Sequence, residues 1–376
     1  MCSVYGCFFN RIIQMNRRSI LFIINYLDKG GAGKMMKYVA NTCANHFEDV
    51  RLLSLYEHNR SNDLSTKVNY WGLGDSAHGG IIWRIKLCFK IRKFIKLNNP
   101  YVICTFVSDN CFTVRLATLG LRVKVCSAER GDPFTNGRIW KSLIGWTYNH
   151  SDYCFFQLEK ARDFFNSKIQ NKSFVIPNVF IPDSTTKVFD GIRKKTIVSA
   201  GRFVKEKRYE VMIEAFAYVH RKHPDYTMII YGEGPLLDKY KALAEKLGLS
   251  DYVSYPGYIS GVADSVREDG VFVLSSLYEG MPNSLMEALS VGVPCVSTDC
   301  TPGGPCFLTD GGKNGLLVPV NDSRKMADAI NMIIETPSLS ARLSHLGPTI
   351  VNELTDERIS RKWIEAFEKI LSSNNI

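Results

Sequence analysis

The chain has 376 residues, 45% hydrophobic and 22% charged, and its 47 basic against 37 acidic side chains leave a formal charge of +10. That length exceeds one ordinary hydrophobic core, so two domains are expected. The charge calls for an anionic partner: nucleic acid, an acidic membrane surface or a phosphorylated substrate. Eleven cysteines without a C-x-x-C pair read as buried thiols of a reducing cytoplasm, and seven histidines without paired spacing argue against zinc.

Residues 1–18 have no basic start, long apolar core or small-residue cleavage site, so they read as an N-terminal extension rather than a signal peptide. Within it, residues 1–14 read as a disordered extension or as preceding the true start, since Met15 stands before NRRSILFII. No apolar run reaches the roughly 18 residues needed to cross a bilayer. Residues 19–25 form a buried strand, followed by DKGGAGK and a helical pattern over 35–46, the strand-loop-helix unit of a parallel sheet. Apolar runs at 50–56, 101–107, 123–128, 153–157 and 173–176 supply further strands of a first domain over 19–178. Residues 179–195 are proline-bearing and aperiodic, and read as a linker. A second alternating set, 196–352, has strands at 196–200, 226–231, 252–255, 271–274, 294–298 and 316–319. Residues 353–376 carry a capped amphipathic helix. The expected class is α/β, with two doubly wound, Rossmann-like domains facing across a cleft.

Residues 81–97, IIWRIKLCFKIRKFIKL, carry six basic residues and no acid. Leu87, Cys88, Ile91, Phe94 and Ile95 share a core-facing stripe, while Ile82, Ile85 and Phe89 fall among Arg92, Lys93, Lys86, Lys90 and Lys96. This mixture fits an anionic membrane interface, or else a solvated basic helix with a wide buried face. Nucleic acid is the weaker partner, because no binding motif accompanies the charge.

Two phosphate-loop readings fail. A Walker A needs glycine five residues before Gly33, where Asp28 stands, and Ser or Thr where Met35 stands; a dinucleotide fingerprint needs glycine at Met36. What remains at Gly30 and Gly31 is a tight glycine loop after the first strand. In the second domain glycine-marked loops follow four strands. Gly201-Arg202 with Lys207 follows the first, offering a planar fork and a point charge to a diphosphate. Gly232 follows the second, Gly257-Tyr258 the third, and YEGMPNSLMEA, with Glu279 and Glu287 eight residues apart, the fourth. Pro282 interrupts that last stretch, so Asn283 or Ser284 is expected to cap a helix carrying Glu287.

Taken together, the GG loop, IPN at 176–178, AGR…EK at 200–207, YGEGP, YEGMPNSLMEA, VGVPCVSTD and NGLLVP resemble the retaining GT-B glycosyltransferases of family 4. The likeness spans residues 20–350 and is nearest to bacterial members that build capsule, O-antigen and other surface polysaccharides. Phe307 departs from the glutamate common at its position, and GGAGK from the frequent GGAE.

The resemblance implies that Glu287 accepts hydrogen bonds from ribose hydroxyls and Glu279 contacts the donor sugar. Backbone amides of Gly280, Met281, Pro282 (which lacks an N–H), Asn283 and Ser284 would line the sugar and phosphates beside Gly201, Gly232, Gly257 and Tyr258. Arg202 and Lys207 would stabilise the departing nucleoside diphosphate, UDP, with no metal or other cofactor and no protein nucleophile. Gly30, Gly31, Glu129 and Arg130 would lie on the acceptor side. Arg130 either holds the pyrophosphate of a lipid-linked saccharide or pairs with Glu129. The terminal helix would return to the first domain. The expected protein is cytoplasmic and peripheral at the inner face of the plasma membrane. A catalytically inactive nucleotide-sugar-binding scaffold and a GT-B sugar-nucleotide epimerase are the alternatives.

Overall fold

The computed structural model describes residues 19–28, 30–75, 80–131, 137–181 and 187–373. The expected extension 1–18, Lys29 of the glycine run, and Asp132 and Pro133 after Arg130 lie outside the described residues. The chain folds as two units, Met1–Asn178 with Glu357–Ile376, and Val179–Asp356.

The first unit is built on seven parallel strands: β1 (Ile20–Ile24), β2 (Val50–Ser54), β3 (Asn69–Gly72), β4 (Val102–Phe106), β5 (Lys124–Ala128), β6 (Tyr153–Phe156) and β7 (Ser173–Val175). Their order is β3-β2-β1-β4-β5-β6-β7. β1, β4 and β5 are buried at every position, as continuous apolar runs covered on both faces should be. β3 carries no such run. Its four residues alternate between exposed and half-buried at the sheet edge, which is why its apolar signal is faint.

The helix after β1 runs Gly30–His46, so the glycines expected in a loop form its first turn. A Cβ at Gly33 would stand 2.3 Å from the Leu27 carbonyl oxygen, and only glycine lets the helix start so close to the strand exit. Lys37, one turn on, donates to Asp28 (2.8 Å), Asp63 (3.0 Å) and Ser61 (3.1 Å), closing the β1 exit. Its hydrogen bond holds the Asp28 carboxyl below the usual range.

The terminal helix Asp356–Ser372 packs on this first sheet. Ile359, Trp363, Ala366, Phe367 and Ile370 form its buried stripe. Trp363 is fully buried, 4.7 Å from the Phe155 ring and 6.0 Å from that of Phe106. Buried Lys124 donates to the Ile370 carbonyl (2.8 Å) and Ser373 Oγ (2.7 Å), neutralising the carbonyl end of the helix.

The second unit has six parallel strands: β8 (Thr196–Ala200), β9 (Thr227–Tyr231), β10 (Val253–Gly257), β11 (Val271–Leu274), β12 (Cys295–Thr298) and β13 (Leu316–Val318). The order is β10-β9-β8-β11-β12-β13. The core under this sheet joins Ile197, Met228, Ile230, Val273 and Val296 to Met212 and Phe216 of the helix Tyr209–Lys222 and Met326 and Ile330 of the helix Ser323–Glu335. Both units are thus doubly wound α/β domains.

Candidate functional site

The second sheet reverses its strand order between β8 and β11, and in such sheets ligands bind off the strand carboxyl ends at the reversal. Two of the expected motifs leave the sheet there. β8 runs into Gly201, Arg202 and the short turn Lys205–Lys207; β11 runs into Ser275, Ser276 and Glu279. Lys207 Nζ lies 2.5 Å from Glu279 Oε1, Ser275 Oγ donates to the Lys207 carbonyl (2.8 Å), and Leu277 N donates to the Glu206 carbonyl (2.8 Å). Ser276 Oγ donates to the same Glu279 oxygen at 2.8 Å. The Lys207 and Glu279 side chains are only 16% and 14% exposed, so their attraction is less screened than that of a surface pair.

Arg202 behaves differently. Its side chain is 76% exposed and 3.7 Å from Glu206. The two expected cations are therefore not equivalent: Lys207 is enclosed and closely paired, whereas Arg202 is exposed with a longer contact to Glu206, and ordering it on a ligand costs side-chain entropy.

Neighbouring strand exits are stitched to this centre. Gly201 N donates to the Tyr231 carbonyl (2.9 Å) and Gly232 N to the Gly257 carbonyl (2.8 Å). Gly232 has φ +143°, and a Cβ there would stand 1.9 Å from the Gly201 carbonyl oxygen, so no other residue fits. Tyr258 follows Gly257 and is 67% exposed, an aromatic face left open at the β10 exit.

The helix carrying Glu287 is Asn283–Ser290, with Pro282 at its cap position (φ −72°, ψ 110°). This corrects the cap expected at Asn283 or Ser284. Proline's ring presets the boundary angle, and its carbonyl accepts Met286 N at 3.1 Å. Gly280, Met281 and Pro282 are buried while Asn283 and Ser284 are half-buried. Glu287 Oε2 accepts the Val262 N–H at 2.9 Å, which starts the helix Val262–Val266. A carboxylate has further lone-pair positions for a diol.

Sequence reasoning missed two members of the centre. Ser276 orients Glu279, and its only signal is a small polar residue at the end of a buried apolar strand. Tyr209 is 2% exposed, and its hydroxyl lies 2.9 Å from where a Gly201 Cβ would stand. Burial, with the negative charge of Glu279 adding to it, pushes that phenol well above its ordinary value.

In the first unit the expected acceptor-side residues have different surroundings. Glu129 is buried with both oxygens filled: Oε1 accepts Arg130 N (3.0 Å) and Gly131 N (2.9 Å), Oε2 accepts Ser108 Oγ (2.6 Å) and Tyr148 OH (2.8 Å). It builds the loop rather than reaching a ligand. Among the described residues Arg130 makes no ion pair with it. The guanidinium lies 4.2 Å from the Phe106 ring centroid and 5.5 Å from that of Trp363, with Nη1 donating to Asn178 (3.2 Å). Burial brings its pKa down to about 10. Its Nε and Nη2 are buried with no hydrogen-bond partner among the described residues. Gly30 and Gly31 sit in the helix turn described above.

The basic segment is the helix Ile81–Asn98. Leu87, Ile91 and Ile95 are buried and Cys88 and Phe94 pack beside them, while Ile82, Ile85 and Phe89 are 71%, 50% and 68% exposed. Two of the five basic groups beside them have partners within the fold. Arg92 donates to the Ala117 (2.9 Å) and Leu119 (2.7 Å) carbonyls, and Lys90 pairs with Asp75 at 2.8 Å. Lys86, Lys93 and Lys96 are exposed. Among the described residues no helix is long and apolar enough to cross a membrane.

Residues 187–348 match the family described as Glycosyl transferases group 1. An uncharacterized glycosyltransferase of Haemophilus influenzae is 23% identical over 348 residues, covering 91% of this chain and 97% of that protein. The GalNAc-alpha-(1->4)-GalNAc-alpha-(1->3)-diNAcBac-PP-undecaprenol alpha-1,4-N-acetyl-D-galactosaminyltransferase of Campylobacter jejuni is 20% identical, covering 93% and 98%. Among solved structures, Anabaena HepE in complex with UDP and glucose superposes with a TM-score of 0.75 at 15% identity, covering 94% and 100%. The fold is that of GT-B glycosyltransferases, and the family match with these full-length relatives supports a glycosyltransferase.

Proposed function

We propose that this protein is a retaining, metal-independent glycosyltransferase of family 4 that moves a hexose or N-acetylhexosamine from a UDP-sugar to a lipid-linked saccharide, in assembly of a cell-surface polysaccharide. The observation that carries the reading is the Lys207–Glu279 pair at the strand-order reversal of the second sheet, with Arg202 open beside it. The UDP-bound HepE and the undecaprenol-linked acceptor in the Campylobacter relative's name support the choice of donor and acceptor.

In this reading Glu287 accepts bonds from the ribose hydroxyls while keeping Val262 in place. Amides of residues 280–284 other than Pro282 face the sugar and phosphates, joined by Gly201, Gly232, Gly257 and Tyr258. Glu279 contacts the donor sugar and holds Lys207 in position. Lys207 and Arg202 stabilise the charge that develops as UDP departs, and the departing phosphate assists the acceptor hydroxyl on the same face. The first unit takes the acceptor. Its helix Ile81–Asn98 rests on the anionic inner face of the plasma membrane through Ile82, Ile85 and Phe89, with Lys86 and Lys93 at the headgroups.

The test is UDP release from a panel of UDP-sugars, with and without polyprenyl-diphosphate-linked saccharides, each repeated in EDTA. Acceptor-dependent release that survives chelation, with the donor's anomeric configuration kept in the product by NMR, is the expected result. A panel with UDP binding but no transfer supports the scaffold instead, and C2-inverted sugar nucleotide the epimerase.

A further inference from the structure

The first sheet also has a strand-order reversal, between β1 and β4, and its carboxyl edge carries a set of side chains that none of the motifs contains. Tyr26 follows β1 and Tyr56 follows β2, with their rings 5.1 Å apart. The Trp83 ring, from the first turn of the helix Ile81–Asn98, stacks on Tyr56 at 5.7 Å and 30°. Each of the three keeps part of its surface accessible. Beside them Arg84 Nη1 lies 2.5 Å from Asp109 Oδ1, and its guanidinium sits 5.4 Å from the Trp140 ring centroid. The charges of that pair offset each other, and Glu57, next to Tyr56, accepts the Leu27 N–H at 2.6 Å, so the patch is aromatic and polar with no net positive charge to attract a phosphate.

Two further observations single out this edge. Val107, at the β4 exit, has φ +74° and is 36% exposed. A β-branched residue is strained there, and such strain persists where the surroundings impose it, often at ligand sites. Asn25 Oδ1 and Trp83 Nε1 are buried with no hydrogen-bond partner among the described residues. Buried polar atoms seldom stay unpaired unless a ligand or water completes them.

We propose that Tyr26, Tyr56, Trp83, Arg84 and Asp109 form a binding platform for a neutral pyranose ring. This deepens the proposed function and rests on its reading of the first unit as the acceptor unit. Aromatic faces carry partial negative charge and suit the C–H-rich face of a sugar ring. Asp109 accepts from vicinal hydroxyls and Arg84 donates to a ring or hydroxyl oxygen. Trp83 lies between exposed Ile82 and Ile85 of the basic helix, so a sugar held here stays near the surface on which that helix rests.

The experiment is saturation-transfer NMR on the whole protein with methyl glycosides of glucose, galactose, N-acetylglucosamine and N-acetylgalactosamine as probes. At least one should receive saturation, and Tyr26→Ala and Asp109→Ala should each weaken its binding about ten-fold, the loss of roughly 1.4 kcal/mol. Thermal melting and UDP calorimetry on the same samples exclude unfolding. A panel with no binder, or a binder unaffected by both substitutions, overturns the platform. Failure of UDP-sugar turnover instead defeats the transferase reading and leaves this binding result standing.

Discussion

Lys207 and Glu279, 72 residues apart in the chain, meet at 2.5 Å where the second sheet reverses its strand order. Neither charge is spare. In the protein without donor the lysine is neutralised by the carboxylate, and Ser276 holds that carboxylate from the other side. In the proposed function, a diphosphate arriving at Arg202 meets a cation whose position is already fixed, and fixed charges stabilise a transition state better than charges that must reorganise.

Lys207→Ala should therefore lower turnover by about 10²–10³ with little change in donor KM, as loss of one preorganised group does. Steady-state UDP release measures both constants. A raised KM with turnover intact would assign Lys207 to ground-state binding. A double-mutant cycle with Glu279→Gln should show strong coupling, because each substitution leaves the other, mostly buried charge uncompensated.

Glu287 has one observed task, accepting the Val262 N–H, and one proposed task at the ribose, and substitutions separate them. Glu287→Gln keeps an oxygen able to accept from Val262 N but loses the charge, and should weaken UDP binding by about 1–3 kcal/mol in calorimetry. Glu287→Ala loses both, and should in addition raise hydrogen exchange at Val262. Unchanged UDP affinity in the glutamine variant would remove the ribose role.

For the helix Ile81–Asn98 the informative changes are at side chains that the fold does not use. Ile85→Glu with Lys93→Glu should abolish sedimentation with anionic liposomes, each basic group contributing up to about 1 kcal/mol near such a surface. Arg92→Ala should act differently and lower stability, since its guanidinium holds the Ala117 and Leu119 carbonyls. Liposome binding undiminished in the first variant would leave a solvated basic edge over a buried stripe.

Buried thiols give a pH test. Burial pushes Cys43, Cys104, Cys111, Cys126 and Cys295 upward, and Cys300, beside Glu279, rises to about 12. A raised pKa means less thiolate at a given pH, so these groups are protonated and slow to react at neutral pH. Iodoacetamide followed by mass spectrometry should leave them unlabelled in the native protein and label them in denaturant. Rapid native labelling of Cys300 at neutral pH would contradict its enclosure.

Trp363→Ala should cost the first unit about 3–5 kcal/mol, the range for emptying a buried aromatic site. Its ring also covers one side of the Arg130 guanidinium, so the loss should exceed that of Phe47→Ala at the margin of the same cluster. Differential scanning calorimetry of both variants checks the order.

The sequence alone determined the class of fold and which residue types stand at the strand ends. Continuous apolar runs mark strands covered on both faces, glycines mark exits where backbones approach closely, and Arg202, Lys207, Glu279 and Glu287 are charges placed just after such strands. All of these are local signals, readable because burial and backbone geometry act over a few residues. Partners were a different matter. Glu129 and Arg130 are adjacent in the chain and look like an acceptor clamp. Only the folded first unit shows the carboxylate filled by Ser108, Tyr148 and two backbone amides, and the guanidinium enclosed by Phe106 and Trp363. β3, half exposed at an edge, left too weak a pattern to see. The meeting of Lys207 with Glu279, and of Tyr26 with Tyr56 and Trp83, depends on which strands lie side by side. Strand order follows from crossover connections and packing of whole elements, and no window of sequence contains it.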